Sequence, residues 1–353
     1  MATKYKPTGN ISLFDEYEIK TKLSELGNPL EKLLEVLDFE MFRNLLEEKL
    51  LNHEKKSNAG AKPYDVVMMF KIMILQRFYG LGDTQIEYQI LDRISFKNFL
   101  GLSMGDKVPD EKTVWLFREN LTNANLVEEL FDLFKKHLSQ KGFIINEGKM
   151  VDASFTVAPR QRNTREENKK IKEGKGDELW NDKPNKKRQK DIDARWTKKN
   201  GEKFFGYKNH AKVDTKSKLV DTYSVTDASV HDSQALDDLL TENDAGQDLN
   251  ADSAYTGKKQ KKVIKKHKMN NQVHEKAYRN KKLTEQQKSS NKGKSKIRAR
   301  VEHVFGFMEQ SMNGLCIKSV GIKRATGIIG LINLTYNMFR FEQIVRLNIL
   351  PSN

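Results

Sequence analysis

Cysteine is almost absent from this chain of 353 residues, in which Cys316 is the only one. No intramolecular disulfide can form, which excludes a disulfide-stapled secreted fold. Long apolar runs are also missing: the longest, at 326–339, is shorter than a membrane-crossing helix and contains two asparagines. The first ten residues lack the apolar core of a signal peptide. We therefore expect a cytosolic protein with no membrane partner.

A glycine-rich phosphate loop of the Walker type is missing as well, and no internal repeat is visible. Phosphate chemistry in this protein would have to proceed without that route to ATP. We also find no Ser or Tyr nucleophile with clustered arginines, the set that a covalent DNA recombinase needs.

Positive charge is abundant but concentrated in two segments of the chain, whose formal net charge is +15. Residues 258–300 contain 17 Lys or Arg and two Glu, and residues 160–203 contain 16 basic and nine acidic side chains. The remainder is acidic. Two basic segments in an otherwise acidic chain indicate a polyanionic partner, most simply nucleic acid. The alternative is a pair of solvated loops.

The first 143 residues are predicted to be helical, because Leu, Val, Ile, Met and Phe recur there at helical spacing. The run at 64–81 is apolar nearly all round, which indicates a buried helix. Short helices joined by tight turns at about 60–121 are compatible with a helix-turn-helix that binds DNA, and equally with a small helical bundle. We expect a helical DNA-binding or dimerisation domain at 1–143.

From residue 144 the pattern changes to strands. Segments 144–159, 203–215 and 218–228 are rich in Val, Tyr, Phe and Thr, and 248–255 adds a short strand. Helices are expected at 231–243, 297–312 and 324–348. This order predicts an α/β domain with a mixed sheet over residues 144–345.

The basic segment at 160–203 interrupts these strands and contains few aliphatic residues. We expect a flexible insertion. Its large apolar side chains, Trp180 and Trp196, would dock on the domain surface or stack on bases, and docking is favoured.

Three carboxylates stand out as candidates for chemistry. Asp152 has apolar neighbours on both sides in a predicted core strand, where an unpaired charge is costly and a metal cation would compensate it. Asp252 stands where a strand ends and a helix begins, the edge of an α/β sheet at which ligands commonly bind. Glu302 borders a helical stripe of Val301, Val304, Phe305 and Met308.

Carboxylates from two strands and a helix could converge on Mg²⁺, which prefers oxygen ligands. Each carboxylate has a structural alternative: Asp152 could accept backbone hydrogen bonds, Asp252 could cap a helix, and Glu302 could pair with Arg298. Spacing alone does not decide among the acids. Further acidic candidates are Asp214, Asp221, Asp227 and Asp232.

Four stretches carry a resemblance to a known family. They are residues 63–120, "VDASF" (151–155), "GYKNHAKVDTKSKLVDTYSVTDASVHDSQ" (206–234), and the pair "ADSAYTG" (251–257) with "RARVEHVFG" (298–306). In this order they resemble bacterial DDE-type insertion-sequence transposases, specifically the insertion-sequence-five group.

The resemblance implies a ribonuclease-H-like catalytic domain in which Asp152, Asp252 and Glu302 bind two Mg²⁺, with Mn²⁺ able to substitute. It implies binding of double-stranded DNA at element ends and target, a homodimer or higher assembly on DNA, and a place in the bacterial cytoplasm at the nucleoid. Arg298 fits the arginine that precedes the family's glutamate. Ser295 and Glu309 replace the Tyr and Lys of the wider signature, which leaves auxiliary contacts open.

Other basic residues are candidates for auxiliary or DNA contacts. Arg300 lies beside the site, and Lys208 and His210 alternate along one strand. A phosphate or metal contact is one interpretation of this pair, and an exposed strand face is the favoured one.

Two rival functions remain open from the sequence. One is a DNA-binding regulator or an inactivated transposase, against which the intact triad argues. The other is a ribonuclease-H-like nuclease that cleaves DNA without joining it.

Overall fold

A computed structural model describes residues 14–51, 62–144, 146–199, 201–277 and 282–349. Residues 1–13 and 52–61 of the predicted helical domain lie outside the described residues, as do residues 145, 200 and 278–281 of the predicted catalytic domain. None of the helices in the described ranges is both long and apolar enough to span a membrane.

The first part of the chain is helical, as predicted. Its helices α1 to α8 are Asp15–Glu25, Pro29–Val36, Arg43–Leu50, Val66–Phe78, Asp83–Asp92, Ile94–Leu100, Glu111–Asn123 and Leu126–Gln140. α4 begins after Asp65, whose carboxylate accepts hydrogen bonds from the backbone N–H groups of Val67 and Met68. Ten consecutive or nearly consecutive side chains of α4 are buried, so the prediction of a buried helix is confirmed.

Strands dominate the next part. The strands β1 to β6 are Gly148–Val157, Arg195–Lys199, Glu202–Asp214, Val220–Asp227, Asp248–Ala251 and Asn270–Asn271. The accompanying helices α9 to α14 are Arg165–Lys172, Pro184–Arg188, Leu236–Leu239, Lys258–Lys266, Glu285–Gly306 and Ile322–Arg346. A π-helical turn, Phe307–Ser311, continues α13.

The sheet is mixed, as predicted. β3 pairs antiparallel with β1, β2 and β4, whereas β5 pairs parallel with β1 and with β6. The main order is β4-β3-β1-β5-β6, with β2 on the N-terminal part of β3. This mixed sheet with flanking helices, preceded by a helical region, is a ribonuclease-H-like fold.

α14 joins the helical part to the sheet. It is buried along most of its length and packs against α4, α8 and β4. Asn333 exchanges two side-chain hydrogen bonds with Asn209 of β3, and Asn337 bonds both the N–H and the C=O of Val220 in β4. One hydrophobic core therefore continues from the N-terminal helices to one face of the sheet.

The insertion at 160–203 differs from its prediction, because it is folded rather than flexible. α9, α10 and β2 lie within it, and β2 extends the sheet. Trp180 is buried with Ile171, Leu179 and Ile192 in a small separate core, and its indole N–H donates to Glu167. The high polar content of the segment concealed these few apolar residues, which suffice for a satellite core.

Docking, the favoured alternative for the two tryptophans, holds for Trp180 and not for Trp196. Trp196 lies on β2 with 43% of its surface exposed. Asp191 anchors the end of the insertion, because it accepts hydrogen bonds from the Tyr207 hydroxyl of β3 and the Gly321 N–H before α14.

Candidate active site

Asp152 and Asp252 lie side by side on two neighbouring parallel strands, Asp152 in the middle of β1 and Asp252 directly after β5. The last paired residues of β1 and β5 in this register are Val151 and Ala251, and each aspartate comes directly after its strand's paired residue. Neighbouring strands lie about 4.8 Å apart, so the backbones of the two aspartates are close. Their side chains leave the sheet on the face that α13 covers.

One oxygen of each aspartate accepts a local backbone hydrogen bond. Asp152 accepts from the Ala153 N–H at 2.8 Å, and Asp252 accepts from the Ala254 N–H at 2.8 Å as the cap of a short 3₁₀ turn. The structural alternatives predicted for these residues are therefore present, but each takes up only one carboxylate oxygen. A second oxygen remains for another partner.

The electrostatics of Asp152 are those of a carboxylate without enough counter-charge. Burial and the negative charge of Asp252 together raise its pKa to about 6, while the Ala153 N–H hydrogen bond, Arg298 and Lys199 oppose the shift. A cation bound between Asp152 and Asp252 would reverse both unfavourable effects.

α13 brings Glu302 to the same place. Val301, Val304 and Met308 are fully buried against the sheet, as the predicted stripe requires, and Glu302 projects from the border of that stripe with 58% of its side chain exposed. This places a carboxylate on a core-packing helix at the rim of the aspartate pair.

Arg298 connects two of the three carboxylates. Its Nη2 donates to Glu302 Oε1 at 2.7 Å, while its Nη1 lies 3.6 Å from Asp152 Oδ2. Its buried Nε has no hydrogen-bond partner in the described part of the chain. Arg298 therefore occupies the space between Asp152 and Glu302 and partly balances their charge.

Among the residues described, no three His, Cys, Asp or Glu side chains are grouped so that they could hold a metal ion. Glu302 is turned towards Arg298, so the triad is not closed. The donor chemistry nevertheless fits Mg²⁺, because all three ligands would be hard carboxylate oxygens. Asp152 and Asp252 supply the adjacent pair.

The auxiliary candidates on β3 face away from this site. Asp152 pairs with Ala211, and side chains alternate along a strand, so Lys208 and His210 share the opposite face of the sheet. Both are buried, and the favoured expectation of an exposed strand face is wrong. Lys208 donates to the Val230 carbonyl and the Asp232 carboxylate, which ties β3 to the segment before α11.

His210 is fully buried, and its Nε2 lies 2.9 Å from the Thr226 hydroxyl. Burial lowers its pKa to about 4. Arg300 lies on α13 but points its guanidinium at the Thr215 carbonyl, 3.1 Å away. In the described structure Lys208 and Arg300 thus make protein contacts that position strands and loops.

The other acidic candidates have local partners. Asp214 caps the β3–β4 turn through the N–H groups of Lys216 and Ser217, and Asp221 pairs with buried lysines. Asp227 accepts from Ser229, and Asp232 pairs with Lys208 instead of capping the following turn, a role taken by His231. Each of these acids thus has a partner other than Asp152 and Asp252, although Asp232 stays near enough to the site to act on Tyr255.

Tyr255 is a neighbour of the site that sequence reasoning missed. Its ring is buried and its hydroxyl has no hydrogen-bond partner among the described residues. Burial raises its pKa well above 10, and Asp152, Asp232 and Asp252 raise it further. Its place three residues after Asp252 was the available signal.

Comparison with known families agrees with this geometry. A model described as "Transposase DDE domain" matches residues 147–338, which is more than half of the chain, and one described as "Transposase domain (DUF772)" matches residues 17–120. No solved structure matches the chain significantly. The chain belongs to the DDE transposase family and is an enzyme that acts on DNA.

Proposed function

We propose that this transposase binds the terminal inverted repeats of its insertion sequence and uses Asp152, Asp252 and Glu302 to cut and join DNA. The observation that carries the proposal is the adjacency of Asp152, in the middle of β1, and Asp252, directly after β5, with α13 presenting Glu302 beside them. Their shared negative charge calls for a cation.

Magnesium is the proposed cofactor, as two ions, with manganese as a substitute. Asp152 and Asp252 would hold it, and Glu302 would complete the ligand set once its side chain leaves Arg298. When bound, magnesium would supply activation of an attacking oxygen and stabilisation of the leaving oxygen at phosphorus.

The proposed reaction has two steps. In the first step water displaces one strand at a phosphodiester and a 3′-hydroxyl is freed. In the second that hydroxyl attacks a target phosphodiester, so one P–O bond replaces another and no ATP is consumed. Arg298, released from Glu302, would be free to contact a phosphate with its planar guanidinium.

The helical part and the lysine-rich segment would hold DNA. α12 and the first half of α13 carry most of the basic residues of 258–300 that the structure describes. Phosphate contacts from such side chains give affinity that falls steeply with salt. Pairing two element ends would need a homodimer or a higher assembly on DNA.

The test is an assay of joining with isosteric variants. Purified protein, Mg²⁺, a labelled duplex carrying the element's ends and a target plasmid are incubated for wild type, Asp152→Asn, Asp252→Asn and Glu302→Gln. Glu309→Gln, an exposed glutamate two turns after Glu302, is the matched control. We expect joined products from wild type and control, and none from the three site variants.

Other outcomes would each revise the proposal. Cleavage without joining would favour a nuclease. DNA binding with neither cleavage nor joining would favour a regulator or an inactive copy. Joining that survives in all three site variants would remove Asp152, Asp252 and Glu302 from the active site.

A further inference from the structure

A second charged feature lies away from the carboxylates, and we call it the basic pocket. It is a cavity of about 290 Å³ between the α4–α5 turn, α7, α10 and the segment that precedes α14. The residues that define it are Arg77, Trp115, Arg118, Arg188, Lys318 and Arg324.

Only some of these cations are neutralised. Arg118 forms a two-pronged pair with Asp83 at 2.5 and 2.6 Å, and Arg324 does the same with Glu119 at 2.7 and 2.9 Å. In the part of the chain that the structure describes, the side chains of Arg77, Arg188 and Lys318 form no ion pair and no hydrogen bond. These three leave an excess of about three positive charges at one cavity.

Arg77 lies at the floor of the pocket and is half-buried on α4. Its pKa is lowered to about 10, first by burial and then by the positive charge of Arg118. The guanidinium groups of Arg77 and Arg118 repel each other, and Asp83 is already paired with Arg118, so an anion in the pocket would stabilise both arginines.

The rim combines charge with an exposed aromatic ring. Arg188 and Lys318 are exposed, and Trp115 on α7 is 45% exposed. Cations next to an exposed aromatic ring suit a ligand with phosphates and planar bases. A small inorganic anion would not use the ring.

β1 connects the pocket with the carboxylates. Cys316 lines the pocket, and its backbone forms an isolated β-bridge with Val157. Val157 ends β1, five residues beyond Asp152. At about 3.3 Å per residue, this end of β1 is ~17 Å from Asp152. Since bases in a duplex rise about 3.4 Å each, roughly five base pairs would span that distance.

We propose that the basic pocket binds a backbone phosphodiester of the same DNA that reaches Asp152 and Asp252. Arg77, Arg188 and Lys318 would contact the phosphate oxygens, and Trp115 would contact the adjacent nucleotide. The inference rests on the proposed function for the identity of that DNA, but the binding itself needs no catalysis.

Cys316 provides a built-in probe, because it is exposed, lies in the pocket and is the only cysteine of the chain. The rate of its alkylation by uncharged N-ethylmaleimide is measured in EDTA, with and without a duplex of about 30 base pairs. We expect the duplex to slow alkylation several-fold. An unchanged rate at a duplex concentration that saturates binding would overturn the proposal.

A double variant, Arg188→Gln with Lys318→Gln, tests the cations without touching the carboxylates. Both side chains are exposed and unpaired in the described structure, so the fold should tolerate the change. We expect the slope of log affinity against log salt to fall by about 1.8, which corresponds to two lost phosphate contacts, and protection of Cys316 to weaken.

The matched control is Lys216→Gln with Arg346→Gln, which removes two exposed charges outside the pocket, the helical part and the two basic segments. Its slope should stay near that of wild type, and an equal fall in both double variants would contradict the proposal. Protection of Cys316 by millimolar inorganic phosphate but not by duplex would assign the pocket to a small anion instead. Because the assays contain EDTA, failure of cleavage or joining leaves their outcome unaffected.

Discussion

The carboxylates on the two faces of the sheet differ in how far their charge is compensated. On the face covered by α13, Asp152 and Asp252 lie together, Arg298 Nη1 lies 3.6 Å from Asp152, and the pKa of Asp152 is raised to about 6. On the other face, a network of buried lysines surrounds buried aspartates, and the pKa of Asp221 is held far below its usual range, although burial alone would raise it.

The second arrangement is a paired ionic network. Lys212 lies 2.6 Å from Asp244 and 3.1 Å from Asp221, and Lys149 lies 3.4 Å from Asp221 and 3.6 Å from Asp214. A buried charge is tolerated when it is paired and hydrogen-bonded. The comparison teaches that incomplete compensation of charge, rather than burial, distinguishes Asp152 from the aspartates that hold strands together.

The largest expected effect comes from breaking the paired network. Lys212→Met removes a fully buried cation and leaves Asp244 and Asp221 undercompensated. We expect a loss of about 3–5 kcal/mol in the free energy of unfolding, because one partner of a buried pair is left without its counter-charge. Urea denaturation followed by circular dichroism measures it.

Lys216→Met is the matched control for this substitution. Lys216 pairs with Glu147 at 3.0 Å on the surface, where both side chains are about half exposed. Such a pair contributes at most about 1 kcal/mol. Equal losses in the two variants would mean that the buried network has no special stabilising role.

At Asp152, in contrast, removing the charge is expected to increase the free energy of unfolding. Without divalent cations, Asp152→Asn should raise the free energy of unfolding at pH 7.5, by about 3 kcal/mol at most for a pKa that rises from 3.8 to about 6. The penalty is fully present above pH 6 and fades as pH falls towards 3.8, so the gain should shrink over that range. A gain that is the same at pH 4 and pH 7.5 would contradict the electrostatic cause.

Magnesium should increase the free energy of unfolding, and this gain should depend on Asp152 and Asp252. Wild-type protein should gain about 2.7 kcal/mol when Mg²⁺ is at 100 times its dissociation constant, whereas Asp152→Asn with Asp252→Asn should gain little. Thermal melting with increasing Mg²⁺ measures this without DNA. Asp227→Asn, at a turn of the same domain, should respond as wild type does. Equal shifts in all three proteins would locate the magnesium effect elsewhere.

Much of the fold could be predicted because its pattern is local. The segments predicted as strands at 144–159, 203–215 and 218–228 contain β1, β3 and β4. The predicted stripe around Val301 is the buried face of α13. Strand pairing could not be predicted from local pattern. The sequence alone therefore could not show that Asp214 and Asp221 are paired with lysines whereas Asp152 is available for a cofactor. That difference depends on lysines distant along the chain, such as Lys149, and only the fold brings them near.

Two misjudged segments have the same origin. The insertion was predicted as flexible because its average composition is polar, yet Trp180 and Ile171 build a core with two further residues. Lys208 and His210 were expected to be exposed because alternation gives a shared face without saying which face is covered. In both cases the local sequence does not show which distant residues will cover a segment, and tertiary packing decides that.

The smallest expected stability effect belongs to Glu302. Its pair with Arg298 is an i, i+4 contact whose glutamate is more than half exposed, and such pairs contribute about 0.3–0.5 kcal/mol. Glu302→Gln should therefore lower the free energy of unfolding by no more than about 0.5 kcal/mol without metal, while abolishing joining of DNA. Denaturation and joining are measured on the same preparation. A carboxylate that serves to bind a cofactor should contribute little to the stability of the fold. A large loss of stability would therefore make Glu302 a structural residue, and the loss of joining would then not indicate a catalytic role.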